Sequence, residues 1–222
     1  MTGLVLAGGL SSRFGSDKSR SAMPGGPDML VRTLRLLASL PGVVRTAVSC
    51  RAGHAAAMRE RLAQLCREGA LPAEPLIIED RADDLPPTPL KGLAAALRAT
   101  GGPLFVLPCD FPLLEPHHML PLLEGRRERT GRGLPLLRTA FQHADGRIDA
   151  LAAVYEAAAL PLLENALAER RFSLHSAIPA SSQVLVPCPD EEAFLNMNTP
   201  ADYEQALRLR RAAYRPDSAQ RG

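Results

Sequence analysis

Short apolar runs alternate along this chain with longer stretches whose apolar residues recur at helical spacing, the pattern of strand-helix-strand units and a mainly parallel sheet. Leu4-Val5-Leu6-Ala7 reads as the first strand. A turn-rich stretch follows. Asp28 then precedes apolar positions at Met29, Leu30, Leu34, Leu36, Leu37 and Leu40, which predicts an N-capped amphipathic helix closed by Pro41-Gly42. Residues 43–48 supply a second strand, 55–67 a helix with Gly69 as its stop, and 76–78 a third strand leading into Glu79-Asp80. The loop 81–89 holds three prolines and three charged residues, which places it on the surface. A short helix at 92–99 and an apolar strand at 104–107 come next, and the strand runs into Pro108-Cys109-Asp110-Phe111-Pro112. Two prolines bracket one carboxylate there, so the segment is a rigid loop.

The second half repeats the alternation less clearly. Residues 125–133 are basic and glycine-rich and read as a solvated connector. Strands are expected at 134–137, 151–155 and 184–186, with a helix at 157–169. The last helix has Thr199 as N-cap, Pro200 at the first helical position and Asp202 in the first turn, and runs to about Tyr214. Residues 216–222 are expected to form a frayed tail.

Composition narrows the function classes. The 222 residues carry 26 Lys+Arg against 24 Asp+Glu, a net charge of +2, which gives no broad field to draw in a polyanion such as nucleic acid. No window approaches the roughly 18 apolar residues of a membrane helix, and the N-terminus lacks the basic flank of a signal peptide, so no membrane partner and a cytoplasmic setting are expected. Cys50, Cys66, Cys109 and Cys188 form no Cys-x-x-Cys pair and read as reduced, mostly buried residues. His117 and His118 would leave a helix on different sides, which argues against joint chelation.

Candidate chemistry gathers at predicted strand ends. The segment from Leu6 to Lys18 has neither the G-x-G-x-x-G nor the G-x-x-x-x-G-K-[ST] spacing. Its small residues nevertheless let backbone N–H groups approach an anion, and Arg13 and Lys18 add two cations; a plain surface turn is the alternative. Asp80 and Asp110 each follow an apolar strand, and open α/β sheets bind ligands beyond those ends. A carboxylate beside a triphosphate suits Mg²⁺, although a lone Asp there is more often a turn or capping residue.

Together these segments resemble the molybdenum cofactor guanylyltransferases, within the nucleotidyltransferases of Rossmann-like fold. The resemblance rests on Leu6-Ala7-Gly8-Gly9 with Ser12-Arg13, Gly15 and Asp17-Lys18, on Ile78-Glu79-Asp80, and on Pro89-Leu90-Lys91-Gly92. Pro108-Cys109-Asp110-Phe111-Pro112 and Asn196-Met197-Asn198-Thr199-Pro200 complete it. It implies a three-layer αβα fold over residues 1–215, the N-terminal half binding nucleotide and the C-terminal half the acceptor. The implied reaction transfers GMP from GTP to molybdopterin carrying molybdenum, releasing pyrophosphate, with onward delivery to molybdoenzymes or cofactor-delivery proteins. Leu6, Ala7, Gly8, Gly9, Lys18, Cys50, Asp80 and Asp110 would meet the nucleotide, and Asp110 would also hold Mg²⁺. Lys18, Arg13 and Asp110 would carry catalysis by positioning and charge neutralisation. Asn196, Asn198, Arg170 and Arg171 would face the acceptor; without the resemblance, the asparagines read as loop chemistry and the arginines as a helix C-terminus.

Three departures stand out. Cys50 occupies the place of an Asn near the guanosine in relatives, and Thr88 that of a Gly before Pro89-Leu90. Asp149-Ala150 replaces a His- or Gln-Pro pair, and a carboxylate facing the acceptor there would repel its phosphate. A cytidylyltransferase, a guanylyltransferase of another cofactor, and a non-catalytic nucleotide- or cofactor-binding module remain the alternatives. Leu6-Ala7-Gly8-Gly9 disfavours the first, whose members tend to have Leu-Ala-Ala-Gly.

Overall fold

The Asp28 carboxylate accepts the backbone N–H of Val31 at 2.8 Å and so starts helix α1, Met29–Ser39, as its spacing predicts. This contact belongs to a computed structural model that describes residues 1–7, 23 and 26–213. Gly8, Gly9, Arg13 and Lys18 lie outside the described residues, as does the tail 216–222.

Strand β1 is Thr2–Leu6, β2 is Arg45–Cys50, β3 is Leu76–Glu79 and β4 is Leu104–Pro108. Helices α2, Ala55–Arg67, and α3, Pro89–Thr100, connect them. These four strands pair in parallel in the order β3-β2-β1-β4. The second half adds β5, Arg138–Gln142, β6, Ile148–Tyr155, and β7, Gln183–Pro187, to give one seven-stranded sheet ordered β3-β2-β1-β4-β6-β5-β7. Only β6 runs against its neighbours. The C-terminal ends of β1 to β5 and β7 therefore share one edge with the beginning of β6.

Side chains alternate across the strands, as a sheet covered on both faces requires. Val5, Phe105 and Leu107 pack with Leu34 and Leu37 of α1 and Leu62 of α2, whereas Leu4, Leu104 and Val106 pack with Leu90, Leu93 and Leu97 of α3. Helix α5, Leu160–Ala168, preceded by a 3₁₀ turn at Ala157–Ala159, and the short α6, Leu174–Ala177, extend the second layer. The chain ends in α7, Pro200–Ala213, opened by a reciprocal cap: Thr199 N–H donates to Asp202 Oδ2 at 2.7 Å and Asp202 N–H to Thr199 Oγ1 at 3.2 Å.

Several expectations fail for physical reasons. Residues 125–133 are not a loose connector, because α4 is Pro116–Gly131 and contains most of them. A Cβ at Gly125 would lie 2.9 Å from Val186 Cγ2, so the glycine lets α4 approach β7 closely. The basic residues are used locally: Arg126 pairs with Glu156 at 2.6 Å, and Arg129 donates to the carbonyls of Pro135 and Ser181. Residues 134–137 precede β5 rather than form it, and Leu134 is exposed. Only Cys50 of the four cysteines is buried. The rings of His117 and His118 lie together, 3.9 Å between centroids, rather than on different sides. His118 Nδ1 is nonetheless engaged, accepting the N–H of Glu115 at 2.9 Å in a capping box.

Candidate active site

The parallel topology delivers Leu6 and Ala7, Ser49 and Cys50, Asp80, and Asp110 to the same sheet edge, each at the C-terminal end of its strand. Two backbone bonds extend the pairing past the regular sheet: Ala7 N–H donates to the Ser49 carbonyl at 3.0 Å and Asp80 N–H to the Cys50 carbonyl at 2.9 Å. The Ser49 hydroxyl reaches Asp80 Oδ1 at 3.4 Å. Behind both sits Gly92 of α3, where a Cβ would meet Ser49 Oγ at 2.6 Å and Asp80 Oδ1 at 3.5 Å. Sequence reasoning had Gly92 as part of a motif but missed this close approach.

Burial pushes the Asp80 carboxyl above its ordinary range, while Lys91 and the Ser49 hydrogen bond act against that rise. Lys91, read from the sequence only as part of the Pro89-Leu90-Lys91-Gly92 motif, anchors the loop after β3: its Nζ lies 2.6 Å from Asp83 Oδ1 and 3.1 Å from the Arg81 carbonyl. A single Lys after a Pro-Leu helix start was the available signal. The Cys50 thiol is pushed up to about 11, first by burial and then by the charges of Glu79 and Asp80. It is a buried neutral group here and presents no nucleophile.

Asp110 is half-buried in the turn after β4, and its carbonyl accepts the Met197 N–H at 2.8 Å. With the amide nitrogen turned towards Asp110, as the hydrogen-bond partners require, Asn196 donates to both carboxylate oxygens, at 3.0 and 2.6 Å. The predicted acceptor residue Asn196 is therefore a partner of the predicted metal residue Asp110. Phe194 backs this contact, its ring packed edge-on against Phe111 at 5.7 Å and Phe141 at 5.0 Å. Asn198 follows closely, its N–H held by Asp202 Oδ2 at 2.8 Å.

Arg170 and Arg171 stand at the end of α5, on the rim of the same edge. Arg170 adopts φ 54° and pairs with Asp84 of the loop after β3, whereas Arg171 pairs with Glu169 at 2.7 Å. Both are exposed, and each already has a carboxylate partner.

Asp149 turns away from the role feared for it. Its Oδ1 accepts the N–H groups of Leu151 at 3.1 Å and Ala152 at 3.0 Å. Because Ala140 pairs with Ala153 but Phe141 with Asp149, residues 150–152 bulge from β6, and this carboxylate holds the bulge. Nearby, a cavity of about 350 Å³ is bordered by Arg32, Leu113, His117, Asp190 and Arg210, and among the described residues it includes none of the predicted nucleotide contacts.

Residues 3–192 match the family described as the MobA-like NTP transferase domain. The chain belongs to that family. It is 30% identical over 213 residues to a probable molybdenum cofactor guanylyltransferase from Chloroflexus aggregans, covering 91% of each chain. It is 32% identical over 202 residues to a molybdenum cofactor guanylyltransferase from Burkholderia ambifaria, covering 90% of this chain and 91% of the relative. In fold it is similar to molybdopterin-guanine dinucleotide biosynthesis protein A from Archaeoglobus fulgidus, with a TM-score of 0.69, 22% identity, and coverage of 96% of this chain and all of the other. A 4-diphosphocytidyl-2C-methyl-D-erythritol synthase from Anaerococcus prevotii shares the fold at a TM-score of 0.64 and 10% identity, over 95% of each chain. The mixed seven-stranded αβα sheet is thus the nucleotidyltransferase fold expected from the sequence. Among the described residues, no helix is long and apolar enough to cross a membrane.

Proposed function

We propose that this nucleotidyltransferase transfers GMP from GTP to the terminal phosphate of molybdopterin carrying molybdenum, yielding the guanine dinucleotide cofactor and pyrophosphate. The observation that carries the proposal is the pairing of Asp110 with Asn196. It joins the nucleotide side of the sheet edge, at Leu6 and Asp80, to the C-terminal strap that would meet the acceptor. The relatives' names supply the base and the acceptor. Residues 1–215 are read as one unit, because both halves contribute to this one edge.

The donor set fits Mg²⁺. Asp110 offers hard carboxylate oxygens, and the Asn196 amide lies 2.6 to 3.0 Å from them. Turned over, that amide would present a second hard oxygen beside the carboxylate, so Asp110 and Asn196 together would hold the ion. A bound Mg²⁺ would neutralise charge on the reacting phosphates.

The chain's own residues do the rest. The Ala7 N–H is already taken by the Ser49 carbonyl, so the backbone N–H groups of Gly8 and Gly9 would cradle the phosphates beyond it, with Leu6, Cys50 and Asp80 bordering the nucleoside. Lys18 and Arg13 would bind the triphosphate oxygens and offset the charge that grows as pyrophosphate leaves. The acceptor phosphate is itself the nucleophile, so positioning in line with the α-phosphorus is the main requirement. Asn198, Arg170 and Arg171 would border the acceptor, the arginines after giving up their present carboxylates.

Thermal unfolding tests the nucleotide half. GTP with Mg²⁺ at a hundredfold excess over its dissociation constant should add about 2.7 kcal/mol of stability. Equal stabilisation by CTP or ATP would contradict guanine selection.

A further inference from the structure

Where β5 and β7 end, the strap 188–196 closes over a second cluster that the transfer reaction does not use. His143, at the start of the β5-β6 turn, is 3% exposed and lies between two carboxylates. Its Nδ1 is 2.6 Å from Glu191 Oε2, and its Nε2 is 3.8 Å from Asp149 Oδ2. Nε2 is buried and has no hydrogen-bond partner among the described residues.

Neither neutral tautomer suits this ring. A proton on Nδ1 satisfies Glu191 but turns a bare Nε2 lone pair towards Asp149; a proton on Nε2 sets the Nδ1 lone pair against a carboxylate oxygen. The arrangement calls for a cation. Cys188 supplies the donor that makes a metal the fitting one: its Sγ, a carboxylate oxygen of Glu191 and a ring nitrogen of His143 all lie within 4.8 Å of one another. The N–H of Asp190 is donated to that sulfur.

We propose that His143, Cys188 and Glu191 bind a transition-metal ion of the zinc class, with water as the fourth ligand and Asp149 orienting the imidazole through its other nitrogen. Nitrogen, sulfur and oxygen donors in a set of three suit tetrahedral Zn²⁺. Bonds of about 2.0–2.3 Å place such donors roughly 3.5 Å apart, so Glu191 need only swing off Nδ1 while the sulfur closes in. Half of the Glu191 side chain is exposed, which leaves it free to make that movement. Binding converts the Cys188 thiol to thiolate, and its proton passes to solvent. The Asp149 carboxylate facing the remaining ring nitrogen and the Asp190 N–H on the sulfur are outer contacts of the kind that orient metal ligands. Phe194, which packs on His143 at 5.6 Å as well as on Phe111, couples the site to the Asp110 turn. The metal would tie the strap bearing Asn196 to β5.

The test uses the full chain, freed of metal and titrated with Co²⁺ alone, so it is independent of the acceptor and of turnover. One equivalent of Co²⁺ should produce a thiolate-to-cobalt charge-transfer band that one equivalent of Zn²⁺ abolishes. Cys188→Ser should lose the band, and Glu191→Gln, at an exposed side chain that does not threaten folding, should weaken Co²⁺ binding by at least about tenfold. Absence of the band in the native chain would overturn the proposal. A band that survives in Cys188→Ser, or Co²⁺ binding unchanged in Glu191→Gln, would equally overturn it.

Discussion

Gly92→Ala adds one methyl group where α3 passes behind the proposed nucleotide edge. The new Cβ would stand 2.6 Å from Ser49 Oγ, 3.2 Å from Leu6 Cδ2 and 3.5 Å from Asp80 Oδ1. The first distance is about an ångström too short, and Ser49 is 3% exposed with little room to yield. Overpacking of this kind costs about 1–3 kcal/mol. Loss of the long Ser49–Asp80 hydrogen bond adds about 0.5–1 kcal/mol, and the better helix propensity of alanine returns about 1 kcal/mol. A net loss near 1–2 kcal/mol should lower Tm by roughly 2–8 °C at this chain length. The displaced groups include Leu6 and Asp80, so GTP affinity should fall about tenfold, equivalent to 1.4 kcal/mol. Calorimetric titration of GTP with Mg²⁺ reads the second effect and thermal unfolding the first. Ser49→Ala removes the clashing oxygen, so the double variant should recover most of the lost affinity. Native-like affinity in Gly92→Ala, or a double variant no better than the single one, would refute the reasoning.

Other outcomes follow from the same geometry. Asp110→Ala should abolish pyrophosphate release; full activity would remove Asp110 from the mechanism. Asp149→Ala strands the N–H groups of Leu151 and Ala152 and should cost about 2–3 kcal/mol in urea unfolding, with Asp149→Asn retaining part of the loss. At pH 8 a thiol held near 11 exposes about a hundredfold less thiolate than one at 9, so Cys50 should resist alkylation until the chain unfolds. The unfolded chain gives up that proton first, so this thiol's contribution to stability is intact below pH 9 and is lost as pH rises towards 11, as unfolding across that range would show.

The residues that made elements legible were those whose local and tertiary roles agree. Helix α2 matches its expected bounds because no Gly or Pro interrupts residues 55–67, and α7 begins where Thr199, Pro200 and Asp202 say it should. Helix α4 was hidden by Pro121, Gly125 and Gly131, yet Gly125 is there to seat the helix on β7. Strand β5 was masked by Arg138, a fully buried arginine whose guanidinium bonds Gln183 and the Leu174 carbonyl. Its polarity moved the expected strand upstream to the apolar 134–137, where Leu134 is exposed although Leu136 is buried. At the site, strand order alone brought Leu6, Ala7, Cys50, Asp80 and Asp110 together, as their positions after apolar runs implied. The Asp110–Asn196 pair and the Glu191–His143–Asp149 array join distant segments through tertiary packing, and no local pattern announces them.

Pyrophosphate release across a substrate panel identifies the nucleotide and the acceptor that meet at this edge. Molybdenum-loaded molybdopterin and several other phosphorylated acceptors would be offered GTP, CTP, ATP and UTP in turn, each with and without Mg²⁺. Release is expected only from GTP, only with the molybdopterin acceptor and only with Mg²⁺. Release of equal rate from CTP, transfer to another acceptor in preference, or turnover indifferent to Mg²⁺ would contradict the proposed reaction.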